Sequence, residues 1–224
     1  QARTADLKRT AEVLQAEIGN RLRAEESLRE VNRSLKMLSE CNEALVRATE
    51  ESELLHKICR IIATVGGYRL AWVGFSENDA DKTVRPVAQV GYEKGFLETA
   101  RITWADTERG RGPTGTAIRT GRPAVAADML GDPDLAPWRD EAMRRGYASA
   151  IALPLCGAQG TFGALSIYAA RPHAFDAERV RLLTELANDL AYGITALRTQ
   201  AERARAEEEK GRMRALLLQA QKME

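Results

Sequence analysis

The sequence predicts an α+β protein, a mixed helix–sheet globule held between two long helices, and three observations carry that prediction. Residues 1–53 contain no proline and one glycine, Gly19, among dense Arg, Glu, Ala and Leu, and the same texture returns from residue 199 to the end. All seven prolines fall between the two flanks, where short β-rich runs alternate with turn residues. The flanks also carry apolar residues at steps of three and four, the spacing of a helix seam.

In the first flank, Leu28, Val31, Leu35, Leu38, Asn42, Leu45 and Thr49 take the a and d positions of a coiled coil. Asn42 at an a position sets register and two-strandedness if its amide is buried. Upstream, Leu7, Ala11, Leu14 and Ile18 form a seam in a different phase, so the winding must change around residues 19–26. Leu54, Leu55, Ile58, Ile61 and Ile62 read instead as the buried face of a helix packed on the globule.

Within the globule, residues 68–76 (YRLAWVGFS) and 83–91 (TVRPVAQVG) are strands joined by a turn at residues 78–81. The Asp spacing of that turn hints at a calcium loop, but it lacks the central Gly and closing Glu such loops need. A short strand is expected over residues 101–105 and another over 123–128. Residues 148–155 and 161–169 form a second hairpin, with Ile151, Leu153 and Leu155 alternating onto one covered face. Between these, residues 137–145 read as a short helix with Pro137 first, Arg144 and Arg145 in the last turn and Gly146 as its stop.

Gly110, Gly112 and Gly115 spell the dinucleotide fingerprint, with Asp132 and Asp134 downstream. The context does not fit. A helix from Pro113 ends by Thr120, ahead of Gly121 and Pro123, which is too short for a βαβ crossover.

Composition narrows the class further. The 224 residues allow one domain plus extensions, and 33 basic against 32 acidic residues leave no net field to attract nucleic acid. No apolar run approaches the roughly 20 residues of a membrane span. Cys41, Cys59 and Cys156 form neither a disulfide framework nor a CxxC zinc pair, which suits a reducing cytoplasm. A membrane attachment upstream of Gln1 in the parent protein is compatible with this.

The run GRGPTGTAIRTGRPAVAADM, followed by DPDLAPWRDEAMRRGYASAIALPL and FGALSIYAARPHAFDAERVRLLTELANDLAYGI, resembles GAF domains over residues 54–198. The resemblance implies a GAF-like central antiparallel sheet with flanking helices, a small-molecule pocket and a regulatory role. Residues 1–53 then form an N-terminal signalling helix; LQAEIGNRLRAEESLREVN is similar to the helices that join sensor modules in bacterial kinases and cyclases. Residues 199–224 form a linker helix whose end, LLLQAQKME, resembles the segment before the phosphoacceptor histidine of sensor histidine kinases. His56 and His173 lie far from any such position.

Family ligands differ widely, and the sequence bears on them unequally. No Cys–His neighbour pair suggests covalent bilin, no cyclic-nucleotide residue set is evident, and neither histidine reads as a haem ligand, so no cofactor or metal is indicated. The segment 103–147 and its sheet neighbour supply candidate pocket residues. Trp72, Trp104, Trp138 and Tyr147 are flat walls, Arg139 is a fork for carboxylate or phosphate, and Asp128 is an acceptor. The expected partners are a second copy, a small molecule, and a downstream kinase with its response regulator. A parallel dimer would use Leu28, Val31, Leu35, Leu38, Asn42 and Leu45 with Leu183, Leu190, Ile194 and Leu197. Diguanylate cyclase and DNA-binding activator outputs are the alternatives, and a cysteine-dependent free methionine sulfoxide reductase is the remote one.

Overall fold

The computed structural model describes residues 2–91, 95, 97 and 102–221. Helix α1 (Ala2–Arg47) opens the chain. From Leu14 to Arg29 it buries nothing, and its last turns dock on the globule through Met37, Cys41 and Ala44. Helix α2 (Glu51–Thr64) then doubles back beside it, burying Leu54, Leu55, Ile58, Cys59, Ile61 and Ile62. Met37 lies against Gly66 past the end of α2, while Leu45 and Leu54 meet beside Gly193, so the two helices run as an antiparallel hairpin. This alters the expected seam. The helix stops at Arg47, which leaves Thr49 in the turn and Leu38 and Leu45 half-buried against the protomer's own core.

Five antiparallel strands form one sheet in the order β2-β1-β5-β4-β3, made of β1 (Leu70–Ser76), β2 (Val84–Gly91), β3 (Ala124–Ala126), β4 (Ser149–Gly157) and β5 (Gly160–Ala169). Both expected hairpins form. The strand expected over residues 101–105 reduces to one bridge between Thr83 and Thr103, with Arg101 outside the described residues. In the first hairpin, Asp79 accepts from the Thr83 amide at 2.8 Å and hydroxyl at 2.6 Å, so its carboxylate closes the turn.

The sheet separates two cores, and strand alternation decides which residue joins which. Ala71, Val73, Ile151, Leu153, Leu155, Leu165 and Ile167 face the helices. Leu70, Trp72, Ala150, Ala164 and Tyr168 face the irregular side. Helix α3 (Pro113–Thr120) lies on β4 and β5, starting at Pro113 and ending at Gly121 in the left-handed conformation. The segment expected as one helix from residue 137 is a 3-10 turn, Pro133–Trp138, followed by α4 (Arg139–Arg145) and a left-handed Gly146.

Helix α5 (Ala177–Gln221) lids the helix-side core with Leu183, Leu186, Ala187, Leu190, Ala191 and Ile194, then continues unbroken, its side chains exposed from residue 199 to residue 214. The assignment of Leu183, Leu190 and Ile194 to a dimer seam is therefore corrected: all three are buried within their own protomer. A covered sheet needs an apolar lid, and a lid repeats at the same three–four spacing as a seam. Leu197 is half-buried at the edge of that lid. No described helix is long and apolar enough to cross a membrane.

Candidate functional site

The irregular side of the sheet is where polar chemistry gathers. Trp72 on β1 and Ser166 on β5 are register partners, and Ser166 in turn pairs with Ala152 on β4. Small neighbours on β4 and β5 admit the first turn of α3, which brings Thr114 Oγ1 to 2.9 Å from Ser166 Oγ in a fully covered position. The Trp72 ring lies over Gly74, where a Cβ would stand 2.5 Å from it. Only glycine leaves room for the indole there.

Tyr168 completes this group. Its ring tilts against Tyr147 at a centroid distance of 4.7 Å, and its hydroxyl lies near Thr114 and the Trp72 indole N–H. Burial pushes the phenol up to about 12 against the opposing effect of those two neighbours, so it stays a neutral donor at physiological pH. The Trp72 indole N–H is wholly buried against that hydroxyl and closes no hydrogen bond of good geometry among the described residues. Beside Tyr168 and Thr114 remains a cavity of about 20 Å³, bounded also by Arg109, Gly112, Pro113 and Trp138. That is room for one water.

The glycine motif has a packing role in this wall. A Cβ on Gly110 would stand 1.8 Å from the Ala105 carbonyl oxygen, and one on Gly115 would stand 2.2 Å from that of Gly110. The backbone can come so close because Arg119 gathers it, donating to the carbonyls of Trp104, Ala105 and Gly110 at 3.2, 3.1 and 2.6 Å. The glycines serve loop-on-helix contact.

The structure distributes the candidate pocket residues unevenly. Trp72 and Tyr147 are in the irregular-side core and Trp138 bounds the cavity. Trp104 belongs to the end of the first hairpin, donating to the Glu77 carbonyl at 3.0 Å with Lys82 Nζ 4.7 Å from its ring centroid. Asp128 is not a free acceptor: it takes the amides of Leu130 and Gly131 at 3.1 and 3.0 Å. The Gly131 and Leu130 amides hold its carboxyl below the usual carboxylate range. Arg139 donates from Nη2 to the Asp132 carbonyl at 3.2 Å, while its Nε is buried without a partner among the described residues. Thr114, Ser166, Tyr168 and Arg119 were not foreseen. Ser166 had a visible signal, being the lone small polar side chain in the otherwise apolar and aromatic run GALSIYA.

Of the expected seam, Leu28, Val31 and Leu35 stand in solvent at 60%, 51% and 56% exposure, and Asn42 is exposed. Where α1 ends against α5, Leu45, Val46, Tyr192 and Leu197 line a shallow groove of about 570 Å³.

The sequence profile of the GAF domain matches residues 48–195. No curated protein matches the sequence. Among solved structures, the chain is similar to the free methionine-R-sulfoxide reductase of Neisseria meningitidis, in complex with its substrate, at 21% identity and a TM-score of 0.62, covering 75% of this chain and 91% of that one. The GAF domain of a phosphoenolpyruvate-protein phosphotransferase from Coxiella burnetii matches at 19% identity and 0.62, covering 76% and 97%. The second GAF domain of DevS from Mycobacterium smegmatis matches at 20% identity and 0.51, covering 68% and 99%. At these identities the likeness speaks for the fold.

Proposed function

The chain belongs to the GAF domain family of sensory and regulatory modules, and from that premise we propose that it passes a signal through paired helices to a histidine kinase following residue 224. The observation that carries this reading is the continuity of α5. One uninterrupted helix lids the sheet with its first half and leaves the globule with its second, so a change in how the lid sits must move the exit.

Arg198 marks the point of departure. It forms a two-pronged ion pair with Glu51 at 2.8 and 2.7 Å and stacks over Phe75 and Phe162, tying α5 to α2 and to the ends of β1 and β5. The exposed apolar stripe of α1 and the groove at Tyr192 support a parallel homodimer as the framework. The sensing surface in this reading is the irregular side of the sheet, above Tyr168 and below Trp138. Signal there biases two packings of the dimer, as a population shift.

A reductase role finds less support. Burial, with the Glu40 charge added, pushes the Cys41 thiol to about 12, and burial, with the Cys41 charge added, does the same at Cys59. Cys156 is exposed, with Thr161 Oγ1 at 3.5 Å as its hydrogen-bonding neighbour.

Insertions test the relay. In the full-length protein, four residues added between Gln200 and Arg212 rotate the downstream seam, whereas seven restore it. The expected result is altered or inverted autophosphorylation for four and near-normal output for seven. Equal activity from both would refute helix-phase signalling.

A further inference from the structure

We propose that the cleft between α1 and the start of α5 is a phosphate site, for orthophosphate or a small phosphomonoester, in which Glu30 of α1 is a tethered competitor. The site lies apart from the irregular face and does not rest on the sensing surface assigned above.

The cradle comes first. Arg171, in the loop after β5, and Arg179, in the first turn of α5, each hold a different oxygen of the Glu30 carboxylate, at 2.7 and 2.5 Å. Two guanidiniums on the oxygens of one anion suit a phosphate as well as a carboxylate. Here the anion comes from the chain itself. A third guanidinium lines the same cleft. Arg33, one helical turn beyond Glu30, makes no ion pair among the described residues. Its Nη1 would stand 2.9 Å from a Cβ at residue 67, so the left-handed Gly67 leaves the space in which it lies. With Glu30 seated, the cleft counts three guanidiniums against two carboxylates, Glu26 being the other. Its volume of about 330 Å³ is that of a small-ligand site.

Charge decides the class. A tethered carboxylate competes at an effective concentration on the order of millimolar. A free monocarboxylate making the same two contacts therefore gains nothing over Glu30. A phosphate brings a second charge and a third oxygen for Arg33. What it displaces is weak, because solvent screens a partly exposed ion pair.

Position gives that displacement a consequence. Helices α1 and α5 run side by side in one direction, with Glu30 against Arg179 and Leu45 against Gly193. Residues 14–29 of α1 bury nothing, so the Glu30 clasp is the outermost described tie between α1 and the globule. A phosphate in the cradle frees the incoming end of α1 from α5, while Arg198 and Glu51 still hold the other end.

Calorimetric titration of the intact chain with sodium phosphate and with methyl phosphate tests this, with sodium acetate and sodium chloride at matched ionic strength as controls. The expected result is saturable binding of phosphate, methyl phosphate or both, and of neither control; a response to one alone identifies the form the cleft takes. Glu30→Gln should tighten binding by about fivefold, because the competing charge is gone. An ion pair that only docks α1 gives no such gain. Arg33→Gln and Arg171→Gln, both at exposed positions, should each weaken binding by about tenfold. Saturating phosphate should also quicken hydrogen exchange of the α1 amides at residues 26–34. No saturable binding by the wild-type chain or by Glu30→Gln overturns the site, as does binding that both arginine variants leave unchanged. Acetate binding as tight as phosphate binding overturns the class. Affinity unchanged in Glu30→Gln, or exchange unchanged by bound phosphate, overturns the competition. The insertion experiment judges the relay separately.

Discussion

The two faces of the sheet are built from different materials. Toward the helices, β1, β4 and β5 present Val73, Ile151, Leu153, Leu155, Leu165 and Ile167, all buried and all aliphatic, under the lids of α2 and α5. Toward the irregular side, the same strands present Trp72, Ser166 and Tyr168 beneath a glycine-bearing loop, a short helix and a 3-10 turn. Both buried polar atoms that lack a partner among the described residues, Trp72 Nε1 and Arg139 Nε, belong to this second side. The contrast teaches a division of labour. Close-packed aliphatic contacts have no polar alternatives and move as a block, whereas a face holding unmet donors has hydrogen bonds still to make.

Breaking the aliphatic face should have the largest effect. Leu153→Ala empties a wholly buried position between sheet and helix lid and should destabilise by about 2–5 kcal/mol in urea unfolding. Because α5 shares that core, the loss should appear in one cooperative transition with the helix. A separate early melting of α5 would contradict the block-like description.

On the other face, Arg119→Met removes the donor that three loop carbonyls share and should cost about 2 kcal/mol. Hydrogen exchange should localise the loosening to residues 103–112, with the amides of β4 and β5 still protected. Loss of protection across the whole sheet would show the two sides to be one unit.

A smaller and sharper test uses the buried hydroxyl pair. Thr114→Val alone strands Ser166 and should cost about 1 kcal/mol, while Thr114→Val with Ser166→Ala should recover part of it, since neither hydroxyl of the pair is then left stranded by the other. An additive double variant would mean that the two hydroxyls do not depend on each other.

Where α1 meets the globule, Glu30 takes hydrogen bonds from Arg171 at 2.7 Å and Arg179 at 2.5 Å. Partial burial pulls its carboxyl upward, but the hydrogen bonds and charges of Arg171 and Arg179 together outweigh it and hold the group below the usual range. A carboxyl lowered on folding contributes stability above its unfolded pKa and loses it as pH falls through the folded one. Docking of α1 should therefore weaken on acidification below the ordinary carboxylate range, and Glu30→Gln should flatten that dependence at a cost under about 1 kcal/mol, as solvent screens the pair. A pH profile identical in the Gln variant would remove Glu30 from the account. The smallest effect is expected at Gly211, which lies inside α5 with nothing within 4 Å of an added Cβ. Gly211→Ala should raise helicity by circular dichroism, worth up to about 1 kcal/mol locally, with the globule's unfolding midpoint unchanged.

The sequence by itself determined what local signals can encode. Pro113 and Gly121 bounded α3, alternation set both hairpins, and the absence of proline and near-absence of glycine marked the long helices. The tertiary structure alone decided which partner an apolar stripe would meet. A three–four repeat looks the same whether it lids a sheet or faces a second copy, so Leu183, Leu190 and Ile194 could not be told from a seam until the sheet beneath them existed. The folding of α1 back against α2 likewise depended on contacts such as Met37 with Gly66 that no local pattern announces. The pairing of Thr114 with Ser166 spans 52 residues, and Asp128 offered the sequence a carboxylate whose own turn had already engaged it. Hydrogen-bond capacity is a property of residue type; whether it is already satisfied is a property of the fold.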